Sequence, residues 1–582
     1  MKEPVNVFAK KASLTALAAA FGASVAFSPL STASAEEAFP LEEITAAELK
    51  QGFESGEYSS EEVVQSYLDR IAIYEDTYNA FTFMNTDALE EAKKIDSMRE
   101  NGEPLGELAG VPIVIKEAVD VEGFPTTFGW APLSEEAGGI GLAPTSDAPI
   151  IEDLKEAGAI IIGKTNIPAF SASGTNASTS WAGDTFNAVD PRLAPGGSSS
   201  GTATSVSGNF AMMGIAEETG GSIQNPAAAQ SLASVKPTFG LVPTTGVTPL
   251  AGGTRDVLGP ISRTVEDAAL MMDVIAGEND GDPKTEAAAG NVPEEGYSAA
   301  LDEDALEGKR IGLYGAEWRE DGELSEETQM LYDRSVTELE AQGAEVISDP
   351  FEGSGFAAFT EEAGNVGYDA FIYDLNNYLQ DLDPGNESLN VNEVFDEAGE
   401  VPWTEEGPLS NLLERGVDFE GTLEDPETMP DQSEFEDIKA EYVEIITDVM
   451  EEQDLDGFVY PQMSEEIPAL ADQESNIEAT TVPEINISGL PLVTVPAGYY
   501  ESGSPFSLAF FGENWSEADL LGMAYDYEQA TDYREASELT VEEGGALPET
   551  ASHYAAWLIS GLTAAGLGGF LWMRSRRRHQ NA

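Results

Sequence analysis

The sequence predicts an α/β fold, with a central mixed β-sheet flanked by helices in one large domain. Three observations predict it: capped stretches of helical period, short apolar runs of the kind that form buried parallel strands, and a composition able to bury a core. The chain has 582 residues, 41% of them hydrophobic and 9% aromatic, which excludes disorder for most of its length. The alternation runs from Leu41 onward without internal repeats.

Taken in order, residues 1–35 read as a secretory signal peptide. Lys2, Lys10 and Lys11 flank the start of an apolar stretch from Leu14 to Phe27, and Ala33-Ser34-Ala35 stands before an acidic run. Residues 36–540 form the domain. In it Ser59-Ser60-Glu61-Glu62 followed by Val63, Val64, Tyr67, Leu68 and Ile71 predicts a capped amphipathic helix. Gly110–Lys116 predicts a buried strand ending at a lysine. A helix near Ile150–Ala157 leads into Ala159-Ile160-Ile161-Ile162-Gly163, which has the form of a parallel-sheet strand.

Two glycine-rich loops follow, Pro195–Gly201 and Glu218–Pro226. A flexible linker would continue in Gly and Ser. Here Thr202, Ala203, Thr204, Val206, Ala211, Met212, Met213 and Ile215 lie between the loops, suited to a tightly packed helix and strand. Both loops are thus pinned to one core, and each presents serines beside a backbone free to take unusual dihedrals. Downstream, Tyr368, Phe371, Ile372, Leu375, Tyr378 and Leu379 make one apolar helical face, either core or substrate wall. Asp454–Pro461 reads as a further strand.

The C-terminus reads as a linker, 541–551, carrying Leu547-Pro548-Glu549-Thr550-Ala551, and then a tail, 552–582, with 20 mainly apolar residues from Tyr554 to Met573 before Arg574, Arg576, Arg577 and Arg578. As a helix that run would be roughly 30 Å long, a bilayer core's thickness. The run alone fits a single-span membrane anchor. With the pentapeptide it resembles a sortase cell-wall sorting signal, with Ala551 where the commonest form has Gly and cleavage expected between Thr550 and Ala551. Signal peptidase, sortase and peptidoglycan are then the expected maturation partners, and the expected place is the cell surface.

The 107 Asp and Glu against 27 Lys and Arg give a net charge of −80, which opposes nucleic acid and anionic lipid. Setting aside the three Lys and one Glu of 1–35 and the four Arg of 552–582 leaves 20 basic and 106 acidic residues, a charge of −86. The acids are spread along the chain, as expected for a protein adapted to a salty or alkaline exterior, and do not form the blocks of a cation-binding surface. Absence of Cys excludes disulfides and thiol catalysis. Both histidines, His553 and His579, fall in the tail that sorting would discard. The mature protein would then have no histidine base and no His or Cys zinc site, so nucleophilic chemistry must use Lys or a carboxylate as base.

These loops and their flanks resemble the amidase signature family. The matching segments are Gly110–Asp120, Gly163-Lys164-Thr165-Asn166, Gly196–Gly201, Thr219-Gly220-Gly221-Ser222-Ile223, Val235–Gly240, Asp256–Pro260, Arg263–Ala268, Asn486–Pro491 and Val495–Gly498, within roughly Leu41 to Thr531. The resemblance implies the amidase-signature fold, with a substrate-shaping variable region at about 281–480. It also implies a Ser-Ser-Lys triad in which Ser222 attacks an amide carbonyl, Ser198 relays its proton and a neutral Lys116 is the base. Backbone N–H groups of Thr219, Gly220, Gly221 and Ser222 would form the oxyanion hole. No cofactor is implied; the substrate would be a small-molecule or peptide amide. A lysine made neutral by burial and consecutive glycines that let donors approach an oxyanion suit that chemistry.

Several supporting positions depart from the usual pattern. Ala216-Glu217-Glu218 stands where Gly-Thr-Asp is common, Gln224 where Arg is frequent, and Glu117-Ala118 where Asp-Asn usually follows the lysine. Glu218 and Gln224 together read either as a compensated ion pair or as decay. The chain is thus expected to be a wall-displayed amide hydrolase, with a non-catalytic surface or wall-binding protein on the same scaffold as the alternative. A role as the amidase component of a tRNA-dependent amidotransferase, also in this family, is disfavoured by the signal peptide.

Overall fold

The computed structural model describes residues 40–541, apart from 320–321, 387–388 and 473–474. The signal-peptide segment, the sorting pentapeptide, the apolar tail and both histidines lie outside the described residues.

Ser59 caps the helix Ser60–Tyr78: its hydroxyl accepts from Glu62 N at 3.1 Å, and Glu62 accepts from Ser59 N at 3.0 Å. This reciprocal pairing is what Ser-x-x-Glu is suited to make. Val63, Val64, Tyr67 and Ile71 turn inward, as their spacing requires.

Among the described residues eleven strands form one mixed sheet: β1 (Phe81–Met84), β2 (Pro112–Lys116), β3 (Ile160–Thr165), β4 (Met213–Glu218), β5 (Ala233–Lys236), β6 (Val257–Ser262), β7 (Arg310–Leu313), β8 (Glu345–Ser348), β9 (Gly457–Pro461), β10 (Leu492–Tyr499) and β11 (Pro505–Phe511). Their order is β1-β3-β2-β4-β6-β5-β10-β11-β9-β7-β8. The strands β3, β2 and β4 run parallel, as do β8, β7 and β9, with antiparallel pairs elsewhere. Continuous apolar runs such as Ile113-Val114-Ile115 are covered on both faces, all three fully buried. Each contributes roughly 1.5–3 kcal/mol by burial.

The helices Pro149–Glu156 and Ser200–Ser207 and the strand β4 stand where their sequence patterns place them. The region 281–480 has two parts. It supplies β7, β8 and β9 to the common sheet, and it supplies helices including Phe371–Leu382 and Val391–Ala398 whose apolar faces pack on Phe128, Trp130 and Phe170. The face made by Phe371, Ile372, Leu375 and Leu379 is core, at most 1% exposed.

Buried carboxylates give the fold a pH dependence. Burial raises Asp120 and Asp256 to about 7 and Asp267 to about 6, against about 3.9 in an unfolded chain. The folded state therefore binds more protons across this window, and the slope of stability with pH is negative. This contribution is complete below about pH 4 and is lost as pH rises through 6 to 7. We expect urea midpoints to fall from pH 5 to pH 8 in concentrated NaCl, where long-range repulsion is screened. A midpoint that rises over this range would contradict the assignment.

Candidate active site

Two parallel strands bring the chemistry together. In the β2–β4 ladder Ile115 lies opposite Ile215, so Lys116 and Glu217 both leave the carboxyl ends of neighbouring strands. That edge of a parallel sheet is where α/β folds gather their functional loops. Lys116 is fully buried, and its Nζ donates to Ser198 Oγ at 2.6 Å, to Glu217 O at 2.8 Å and to Glu217 Oε2 at 2.5 Å. Burial pulls the lysine below its ordinary value, opposed by the charges of Glu217, Asp256 and Glu218. Sequence reasoning relies on burial alone and misses this carboxylate contact. Its one signal is an acid in a strand otherwise buried and apolar up to Ala216, where an ionised group needs a partner.

The loop Gly196–Gly201 carries Ser198, fully buried after a cis Gly197–Ser198 peptide bond, and runs directly into the helix Ser200–Ser207. Gly196 has φ +77°, and a Cβ there would fall 2.3 Å from Pro226 Cα. That approach locks the first loop against the second. In the second, Gly221 has φ +92°, and a Cβ would meet Asn225 Nδ2 at 2.8 Å, so glycine is required by both dihedral and space.

Glu218 straps the second turn. Its Oε2 accepts from Ile223 N at 2.7 Å and Gln224 N at 3.1 Å, and Gln224 Nε2 donates to Oε1 at 2.6 Å. Gln462 Nε2 in turn donates to Gln224 Oε1 at 3.0 Å. Glu218 and Gln224 thus meet through an amide–carboxylate hydrogen bond and not as an ion pair. Glu117 is fully buried and its Oε1 accepts from Thr127 N and Oγ1, so it orders a neighbouring loop; among the described residues it has no hydrogen bond to Lys116.

Ser222 is 5% exposed at the head of this turn. Among the described residues its hydroxyl has no hydrogen bond to Ser198, and the N–H groups of Gly220, Gly221 and Ser222 have no protein acceptor. The structure thus joins Lys116 to Ser198, keeps Ser222 on the adjoining loop without a direct link, and leaves three backbone donors available. Thr219 contributes more than backbone: its Oγ1 is 3.0 Å from Glu217 Oε1 and 2.6 Å from Asp256 Oδ1. A hydroxyl has one proton to donate. Both contacts are hydrogen bonds only if a carboxylate keeps a proton, which suits Asp256, raised to about 7 by burial and then by Glu217. A continuous chain results, Asp256 to Thr219 to Glu217 to Lys116 to Ser198. Among the described residues no group of three His, Cys, Asp or Glu side chains is arranged to hold a metal.

Comparison with known proteins agrees with this architecture. The model of the amidase family matches residues 62–521. A glutamyl-tRNA(Gln) amidotransferase subunit from Symbiobacterium thermophilum is 30% identical over 86% of this chain and 100% of its own. Its counterpart from Fusobacterium nucleatum is 40% identical, over 53% of this chain and 60% of its own. Among solved structures, the peptide amidase of Stenotrophomonas maltophilia superposes with a TM-score of 0.68 at 28% identity, over 86% of this chain and 99% of its own. A match spanning most of the domain, on a sheet that sets two glycine-rich loops around a buried lysine, shows that this chain belongs to the amidase signature family and is a hydrolase of linear amide C–N bonds.

Proposed function

We propose that the protein is an extracellular, wall-anchored amidase that works through an acyl-enzyme on Ser222. The observation that carries the chemistry is the buried Lys116–Ser198 contact at 2.6 Å beside a turn with free backbone donors. Ser222 Oγ attacks the carbonyl carbon while its proton passes to Ser198, whose own proton passes to neutral Lys116. N–H groups of the 219–222 turn hold the oxyanion, and the proton returns to the leaving nitrogen as the C–N bond breaks. Water then attacks the ester by the same relay, releasing the carboxylate and restoring Ser222.

Glu217 has a positioning role in this scheme. It fixes Nζ against Ser198 and, by stabilising the ammonium form, opposes the burial that pulls the lysine below its ordinary value. Glu217→Gln keeps an acceptor at nearly the same place and removes the charge. The acidic limb of the pH–rate profile should then move to lower pH, by more than about one unit. Salt should move it less, because the contact is buried and scarcely screened. A limb unmoved by Glu217→Gln would show that the carboxylate does not govern the base.

The leader pattern, the 547–551 pentapeptide and the arginine-terminated apolar tail support display outside the cell by signal peptidase and sortase, with peptidoglycan as the attachment. A charge of −80 opposes a tRNA-bound role such as the names of the amidotransferase relatives describe. The test has two parts. Ammonia or amine release is followed over a panel of small and peptide amides in concentrated NaCl, with and without a fluorophosphonate. Cells expressing the full chain are fractionated before and after muramidase digestion. Fluorophosphonate-sensitive release and muramidase-dependent solubilisation are expected. A folded protein inert on every amide would favour the non-catalytic reading, and extraction by detergent alone would favour a membrane anchor.

A further inference from the structure

Arg255 lies just before β6 and is 1% exposed. Its Nη1 donates to Asn365 Oδ1 at 2.5 Å and Val366 O at 2.8 Å. Its Nε and Nη2 have no hydrogen-bond partner among the described residues. These two nitrogens make one complete edge of the guanidinium fork, the geometry that matches both oxygens of a carboxylate. Buried donors are nearly always paired, so an entire unpartnered edge on a buried cation calls for a partner from outside the chain.

The edge borders the candidate active site. A Cβ on Gly220 would lie 3.8 Å from Arg255 Nη2, 3.7 Å from Tyr368 Oη and 4.0 Å from Val482 Cγ1. Unlike Gly221, Gly220 has room for a side chain; glycine there leaves space open two residues from Ser222. The chain's own nearby carboxylates are committed elsewhere, Asp256 to Leu250 N, Ala251 N and Thr219, and Glu218 to Ile223 N and Gln224. A second guanidinium, Arg415, stands 5.2 Å from the Tyr368 ring centroid, and Arg255 is 4.9 Å from the same centroid. Two cations flank this ring in a chain of charge −80.

We propose that the free edge of Arg255, beside the Tyr368 hydroxyl, receives a carboxylate of the substrate, and that the amides hydrolysed are half-amides of short dicarboxylic acids. The spacing is short because the anion sits against the turn that holds the carbonyl oxygen. This rests on the reading that Ser222 is acylated. Water is added across the C–N bond, and the products are the dicarboxylate and ammonia.

Succinamate and butanamide are the probes, of similar length and differing in the charged end. Ser222→Ala is titrated with each by calorimetry in about 2 M NaCl, which screens the distant acids. Succinamate should bind at least about tenfold tighter, since a site built to hydrogen-bond a group discriminates against the analogue lacking it. The double variant Ser222→Ala, Arg255→Gln should lose that preference. In the otherwise intact enzyme the ratio of kcat/KM for succinamate over butanamide should fall at least about tenfold with Arg255→Gln, and less with Arg255→Lys, which keeps the charge without the fork. Equal binding of the two probes, or an equal loss of both activities in either Arg255 variant, would overturn the proposal. Arg255-dependent succinamate binding without turnover of any amide would uphold the anion site and sink the hydrolytic reading instead.

Discussion

Ser222→Ala is expected to lower amide hydrolysis by about 10⁴-fold or more while leaving the thermal midpoint nearly unchanged. The change removes one hydroxyl that has no hydrogen bond to Ser198 among the described residues, so little stability is at stake. The change takes away the proposed nucleophile, and Ser198, fully buried against Lys116, is not expected to replace it. Steady-state rates and a thermal melt on the same preparation check both halves. A variant that retained a tenth of the rate would place the nucleophile elsewhere.

Lys116→Met is expected to remove activity about as completely, because members of one proton relay fail together. It should also cost stability where Ser222→Ala does not. Among the described residues the lysine is the only cation hydrogen-bonded to Glu217, whose carboxylate is 1% exposed and already shares Thr219 with Asp256. Deleting one member of a buried pair strands the other, at about 3–5 kcal/mol. Lys116→Met combined with Glu217→Gln should recover most of that stability and none of the activity. Urea unfolding of the four proteins forms a double-mutant cycle. If the single Lys116→Met variant were as stable as the parent, the pair would carry no structural coupling.

Much of this architecture is legible in the sequence because it depends on local rules. The Ser59–Glu62 cap, the Ile113–Ile115 and Ile160–Ile162 runs, and the small residues between the glycine loops each specify an element by period or composition. The short edge strand β8 carries no such signal: four residues, Glu345 to Ser348, none of them buried. The site divides in the same way. Lys116 ends a readable strand, and Ser198 and Ser222 stand in readable loops. Glu217 looks like a mere departure from a pattern, because its meeting with Lys116 depends on the register of two strands about a hundred residues apart. Arg255 gives no local sign of burial, since the groups enclosing it, Asn365, Val366 and Tyr368, arrive from another part of the chain. Tyr368 itself falls in with a helical face by spacing, yet it precedes that helix and stands beside Gly220.

In the proposed mechanism one serine, Ser222 on the second glycine turn, carries the acyl group. The most direct test is to label the folded protein with a fluorophosphonate in concentrated NaCl and to locate the adduct by peptide mass spectrometry. A single adduct on Ser222 is expected, absent from Ser222→Ala and strongly slowed in Lys116→Met. An adduct on Ser198 instead, or labelling of Ser222 at the same rate without Lys116, would contradict that mechanism.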